Sequence, residues 1–237
     1  MPPNRTERSA LVIGAGGLGG PALLTLAAAG VGRIVLVDGD AVDTSNLARQ
    51  PLFGEADVGA RKAAAAARRL LQLFPAARVE AVDGRLDASS APGLVGAADV
   101  VVDGSDNFPT RFLASDAAVA AGRPLVHGAV LRFTAQLLTV VPGTTGCLRC
   151  LFEEPPPPDA VPGCAEAGVL GSLAGFAGAL MGAEALRLLD GEPGAYAGRL
   201  LVYEARASRA RTVVVPRRGD CPACGSGARP PGAGGAP

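Results

Sequence analysis

Gly14-Ala15-Gly16-Gly17-Leu18-Gly19 fits a G-x-G-x-x-G pattern, with the apolar run ALVIG before it and the helix-like LLTLAAAG after it. Glycines there let the backbone approach a phosphate at a helix N-terminus, where unpaired amides favour negative charge. Asp38 closes the next apolar run, RIVLVD, where an acid can accept hydrogen bonds from ribose hydroxyls. The motif alone says nucleotide, and an NAD-linked oxidoreductase would share it. Beyond Asp38, DTSNLARQ supplies Asn46 and Arg49, and DVGARK supplies Arg61 and Lys62. Hydride transfer has no use for cations beside a phosphate loop, whereas attack at phosphorus builds negative charge that cations stabilise. SDNFPTRF places Asp106 and Asn107 just after DVVVD. Asp106 is a candidate magnesium ligand, since magnesium takes one or two carboxylates together with substrate phosphates. Asn107 suits the N-cap of the helix that follows.

Four of the five cysteines form two C-x-x-C pairs, Cys147/Cys150 and Cys221/Cys224. Each pair supplies two ligands on one knuckle, so a four-thiolate zinc site is expected. The long gap between the pairs makes such a zinc a tie between the C-terminal end and the domain. Redox pairs or disulfides fit a reducing compartment less well. Cys164 is left over; it reads as a nucleophile or sulfur acceptor, or as an inert small apolar residue. His127, the sole histidine, is read as structural.

These residues need a frame, and the apolar patterning supplies one. Strand-like ALVIG, RIVLVD, ARVEAV, DVVVD and PLVHG alternate with helix-like stretches, including residues 59–74 and Phe108 to Ala121. That order predicts an α/β fold, a Rossmann-like doubly wound and mostly parallel sheet. After Phe133, the segments AQLLTVVP, RLLVYEA and RTVVVP read as an antiparallel C-terminal extension, and GSLAGFAGALMGAEALRLL reads as one long helix packed through small residues. Residues 153–163, rich in proline, predict an exposed crossing loop. Residues 1–225 form one expected domain, and 226–237 an expected disordered tail.

The 237 residues carry 22 Lys+Arg against 22 Asp+Glu, so net charge gives no attraction to nucleic acid or anionic membrane. Hydrophobic residues make up 49% and charged ones 19%, which excludes a disordered chain. Aromatics are 4% with no Trp, which argues against a base-stacking platform. No secretory signal is visible, so a cytoplasmic protein is expected. Residues 9–32 and 168–183 are long and uncharged, but the first is broken by glycines and Pro21 and the second runs into Glu184, so neither is read as a membrane span.

The ordered set GAGGLGGPALLTLAAAGVGRIVLVDGD, SNLARQPLF, DVGARKAAAAA, DGSDNFPTRF, PLVHGAVLRF, CLRCLF, CAEAGVLG and CPAC resembles the ThiF/MoeB/HesA family, bacterial relatives of ubiquitin-activating enzymes. The resemblance implies adenylylation of the C-terminal glycine of a small ubiquitin-like sulfur carrier with a Gly-Gly terminus. It implies ATP and magnesium as cofactors, pyrophosphate release, zinc on the paired cysteines, and service to molybdopterin or thiamin biosynthesis. By the same resemblance, Gly17 lies in the phosphate loop, Asp38 holds the ribose, and Ser45, Asn46, Arg49 and Lys62 surround the phosphates. Asp106 matches the magnesium-associated acid, and Cys164 the position where some members link covalently to the carrier. A homodimer is expected, with a separate sulfur donor such as a cysteine desulfurase or rhodanese. Two departures stand out. Only Met1 to Ser9 precede the first strand, where the family carries an arginine reaching the partner subunit's ATP, so either the start is truncated or that contribution is missing and activity is reduced. The family's RFEGQ is RFTAQ here, with Thr134 and Ala135 in a region that would line the carrier surface. Alternatives from other classes are a non-catalytic relative that binds ATP and carrier, an enzyme activating a peptide or amino-acid carboxylate, and an NAD-binding oxidoreductase.

Overall fold

The protein is described by a computed structural model covering residues 4–157 and 168–226. Its centre is an eight-stranded sheet in the order β3-β2-β1-β4-β5-β6-β7-β8. The strands are β1 (Ser9–Ile13), β2 (Arg33–Asp38), β3 (Val79–Asp83), β4 (Val100–Asp103), β5 (Leu125–Leu131), β6 (Thr134–Val140), β7 (Arg199–Glu204) and β8 (Arg209–Val214). The first five pair in parallel, and β5 to β8 pair antiparallel. Strand order reverses between β1 and β4, which opens a crevice at their carboxyl ends.

β1, β2 and β4 read as nearly unbroken apolar runs because both their faces are covered, whereas the edge strand β3 is largely exposed. Along β1, Ala10 and Val12 enter one core with Leu23, Leu26 and Met181, while Leu11 and Ile13 enter the other with Phe112 and Val95. On the first face lie α1 (Gly19–Ala28), α2 (Lys62–Leu73) and α6 (Gly171–Leu189); on the second lie α3 (Ala91–Gly96), α4 (Phe108–Ala121) and the single turn α5 (Leu148–Leu151). The α4 and α6 spans match those expected from sequence. α2 starts three residues later than the helix-like stretch expected over 59–74, because 55–57 form a 3-10 turn, Gly59 takes φ +84° and Ala41 bridges Arg61.

α6 is long and apolar enough to cross a membrane, yet half of its most apolar stretch is buried within the protein. Glu184, at 2% exposure, accepts bonds from Thr139 Oγ1 at 2.7 Å and from the N–H groups of Ala195 and Tyr196 at 3.0 and 2.9 Å. A buried carboxylate so satisfied pins α6 to β6 and to the connection leading into β7. At the far edge every residue of β8 is exposed, and Arg209 and Arg211 place charge on that unpaired edge. The expected loop at 153–163 is described only to 157, and the expected tail only at Ser226.

Candidate nucleotide site and cysteine cluster

β1 ends in the glycine loop, and a close backbone approach explains its glycines. Gly14 takes φ +86°, and a Cβ on Gly19 would lie 1.7 Å from the Gly14 carbonyl oxygen. No side chain caps α1 among the described residues, but within its first turn the Gly20 N–H is already taken by the Gly16 carbonyl at 2.9 Å and Pro21 has no N–H. Gly14, Gly16 and Gly17 line a cavity of about 310 Å³ at the β1/β4 crevice, whereas Gly19 serves the packing of the loop.

Strand order sets what flanks the loop. On the β2/β3 side stand Asp38, Asp40, Arg85 and Leu86; on the β5/α6 side stand Val130, Val169 and Ala174. Asp38 is 8% exposed; its Oδ2 accepts the Ala15 N–H at 2.7 Å and its Oδ1 the Asp40 N–H at 2.8 Å. Burial pushes the Asp38 carboxyl up, against the pull of those N–H groups and of Lys62. Lys62 is buried and reaches Asp40 at 3.2 Å. For Asp40, burial is outweighed by Lys62 and then Arg85, so its carboxyl sits below the ordinary value.

The 3-10 helix Thr44–Arg49 carries the other cation. Arg49 donates to the Ser45 carbonyl at 3.2 Å and to Asn46 Oδ1, and both Arg49 and Asn46 line the cavity. Ser45 departs from its expected place about the phosphates: its N–H and hydroxyl both turn to Asp43 Oδ1, at 2.8 and 2.6 Å, because Asp43 caps this short helix. Arg61 is likewise committed elsewhere, to Asp83 at 2.7 Å and to the Gly39 carbonyl.

From β4, Asp106 and Asn107 reach the cavity rim. Asn107 Oδ1 accepts the Thr110 N–H at 3.0 Å as the N-cap of α4. Asp106 is exposed, with no hydrogen bond or ion pair to the described protein. Beneath it lies a network that sequence reasoning missed. His127 Nδ1 stands 2.8 Å from Asp103 Oδ2, while Asp103 Oδ1 accepts the Ser105 hydroxyl at 2.6 Å and N–H at 3.1 Å. Burial alone would raise the Asp103 carboxyl, but His127, with Ser105 and Arg111, holds it below its ordinary value. Arg111 closes the turn with two bonds to the Ser105 carbonyl, each 3.2 Å. Gln50 was also missed; it lines the cavity beside Gly16 at 5% exposure.

The paired cysteines meet at the opposite, amino edge of the parallel strands, where Val140 of β6 pairs with Leu125 of β5. Their Sγ atoms all lie within 4.8 Å of one another, with Cys147 to Cys221 at 3.6 Å, Cys150 to Cys224 at 3.3 Å and Cys147 to Cys150 at 4.0 Å. A tetrahedral ion with metal–sulfur bonds of ~2.3 Å needs sulfur separations of ~3.8 Å. Four sulfurs from two knuckles fit that demand. Burial pushes the Cys147 and Cys224 thiols up, whereas at Cys221 it is outweighed by the N–H groups of Cys224 and Ala223, which bring the thiol down to about 7. Cys164 lies outside the described residues.

A glycine loop at the switch point of a doubly wound sheet, with cations around it and an acid that has no partner among the described residues, defines a nucleotide-binding α/β domain. The chain belongs to the ThiF family, which matches residues 5–223. It is 50% identical over 222 residues to the sulfur carrier protein adenylyltransferase of Thermus thermophilus, covering 92% of this chain and 82% of that one. To the SAMP-activating enzyme E1 of Haloferax volcanii it is 49% identical over 217 residues, covering 92% and 80%. The crystal structure of E. coli MccB with MccA-N7isoASN superposes with a TM-score of 0.83 at 22% identity, covering 93% of this chain and 68% of that one, a likeness of fold.

Proposed function

We propose that this chain is an ATP-dependent adenylyltransferase that activates the C-terminal glycine carboxylate of a small ubiquitin-like sulfur carrier protein. The convergence of Arg49, Lys62 and Asp106 on the glycine-loop cavity carries the reading. About half of the residues are shared with relatives named for this activity. A carboxylate oxygen of the carrier attacks the α-phosphorus in line; the new bond gives the acyl adenylate, and the bond to pyrophosphate breaks. No protein nucleophile is needed, because positioning and charge neutralisation suffice. The Asp38 oxygens keep lone pairs for ribose hydroxyls. Arg49 and Lys62 face the phosphates, with Asn46 and Asp40 holding them in place. Asp106 would hold magnesium, which would neutralise charge on the leaving pyrophosphate, and the lack of a partner for that carboxylate among the described residues fits the role. Zinc fits the four thiols as a structural ion.

The same proposal includes a homodimer in the cytoplasm, one adenylyltransferase domain over residues 1–225, and a separate desulfurase or rhodanese as sulfur donor. Arg5 bonds Asp190 of its own chain, with Nε at 2.7 Å, so it is already engaged and is a poor substitute for the family's trans arginine. Cys164 is the candidate sulfur relay, and full sulfur transfer by a Cys164→Ser variant rejects that role. ATP:pyrophosphate exchange with Gly-Gly-terminated carriers tests the main reading. Exchange is expected with the intact tail and not with a carrier lacking its last glycine. ATP binding without exchange on any carrier overturns the reading in favour of a non-catalytic relative.

A further inference from the structure

Asp106 hangs from the turn at 104–107, and the polar groups around it are held from several directions. The Gly104 N–H donates to the Ile13 carbonyl at 2.9 Å, and a Cβ on Gly104 would lie 2.8 Å from the Gly19 nitrogen, so the turn lies against the glycine loop. The Ser105 hydroxyl and N–H both donate to Asp103 Oδ1, at 2.6 and 3.1 Å. The Ser105 carbonyl, which belongs to the peptide bond entering Asp106, accepts Nε and Nη2 of Arg111, each at 3.2 Å. The Asn107 carbonyl accepts the Arg111 N–H at 3.2 Å, and Asn107 Oδ1 caps α4. Amid these bonds the Asp106 carboxylate has no partner among the described residues.

Asp103 is the unusual member of this network. It closes β4 after Val100, Val101 and Val102, it is 0% exposed, and a carboxylate so placed is costly to bury. An apolar residue would serve the packing of β4 against β5 as well. Its two oxygens instead divide between Ser105 and His127 Nδ1, the latter 2.8 Å away on the neighbouring strand. Hydrogen-bond partners one step behind the ligands of a metal orient those ligands and tune its affinity. We propose that Asp103, fixed by His127, is a positioning residue for Asp106: by gripping Ser105 it holds the turn in the shape that presents the Asp106 carboxylate to magnesium. Arg111 holds the same turn through the peptide bond between Ser105 and Asp106. This inference rests on the magnesium role proposed for Asp106 and gives the buried residues beneath it a part in the site.

The Ser105 hydroxyl is the link to break, since its removal leaves Asp103 paired with His127 and with the Ser105 N–H. ATP affinity of the full chain is measured by calorimetric titration in saturating magnesium and in magnesium-free buffer, and the ratio of the two is the magnesium advantage. The ratio is followed in Ser105→Ala, Ser105→Thr, Asp106→Asn and the double variant Ser105→Ala/Asp106→Asn. Ser105→Ala is expected to cut the advantage about fivefold, the size of one net hydrogen bond, while affinity in magnesium-free buffer stays within about twofold. Ser105→Thr keeps the hydroxyl and is expected to keep the advantage. In the Asp106→Asn background the alanine should change nothing further, because residues acting through one contact are not additive. An advantage unchanged in Ser105→Ala overturns the proposal. So does an equal loss in both backgrounds, which makes Ser105 a structural residue that acts elsewhere; this comparison decides even if Ser105→Thr does not fold. An Asp106→Asn variant that keeps the full advantage removes magnesium from Asp106, and this inference falls with it. Failure of the unaltered chain to exchange pyrophosphate with any carrier is a separate result: it overturns the adenylyltransferase reading and leaves the magnesium ratios to decide the role of Asp103.

Discussion

Two acids three residues apart, Asp103 and Asp106, show how location decides role. Asp106 is exposed at the cavity rim and holds nothing in the described protein, so its removal leaves no buried group unpaired. Asp106→Asn is expected to lower ATP:pyrophosphate exchange by about 100-fold or more while the melting temperature stays unchanged. Asp103 is fully buried and answers His127 and Ser105 at once. Asp103→Asn is expected to cost about 1–3 kcal/mol at pH 7, read by urea denaturation. The acid limb gives a second readout. The folded carboxyl lies below its unfolded value of about 3.9, so its contribution is complete above about pH 4 and lost as the pH falls through the folded value. The variant should lose less stability than the parent between pH 5 and pH 3; an identical decline in both would reject the assignment. Sequence could find Asp106, because its position after an apolar run is a local signal. It could not pair Asp103 with His127, 24 residues on, although DVVVD and PLVHG as consecutive parallel strands held the clue, realised in the register of β4 against β5.

At the scale of elements, the junction of α1 with α6 couples the core to the site. A Cβ on Gly178 would lie 2.2 Å from the Leu18 carbonyl oxygen, and Leu18 directly follows the loop glycines. Gly178→Ala must therefore push α6 from the start of α1, at a cost of about 1–3 kcal/mol. ATP affinity should fall with it, because the displaced backbone lines the cavity proposed to hold the phosphates. Gly175, three residues earlier on α6, meets nothing within 4 Å, and Gly175→Ala should raise stability by about 0.5–1 kcal/mol with ATP binding unchanged. Equal effects at the two positions, by calorimetry and nucleotide titration, would reject the coupling. α6 itself was legible because an unbroken small and apolar run of this length has few other fates. The late start of α2 was not, since Ala, Arg and Lys permit helix on either side of it and the bridge from Ala41 to Arg61 is a tertiary decision. The same blindness explains Ser45 and Gln50. Composition places both beside Arg49, while only the cap at Asp43 and the fit against Gly16 turn one away and the other in.

Across the whole molecule, chemistry and anchorage occupy opposite edges of one sheet. The cavity opens at the carboxyl ends of the parallel strands, while the cysteines gather at their amino ends, where the chain leaving β8 folds back through Val215 onto Leu148 and Leu200. A metal bound there would restrain the last segment and the exposed strand β8 without touching a nucleotide in the cavity. Stability and ligand binding should then separate when the metal is withdrawn. Chelation of the metal-replete protein, or Cys221→Ser, is expected to lower the melting temperature by about 5 °C or more and to release amide protection in residues 209–224. ATP affinity should stay within about a factor of three, a difference of under 1 kcal/mol. Stoichiometric zinc in the folded protein is the first check, since four thiolates in this geometry select zinc over harder ions. A folded protein without zinc would remove the metal from the cluster. A loss of ATP affinity in step with chelation would show that the two edges are coupled through the strands, and that the anchor is part of the nucleotide site.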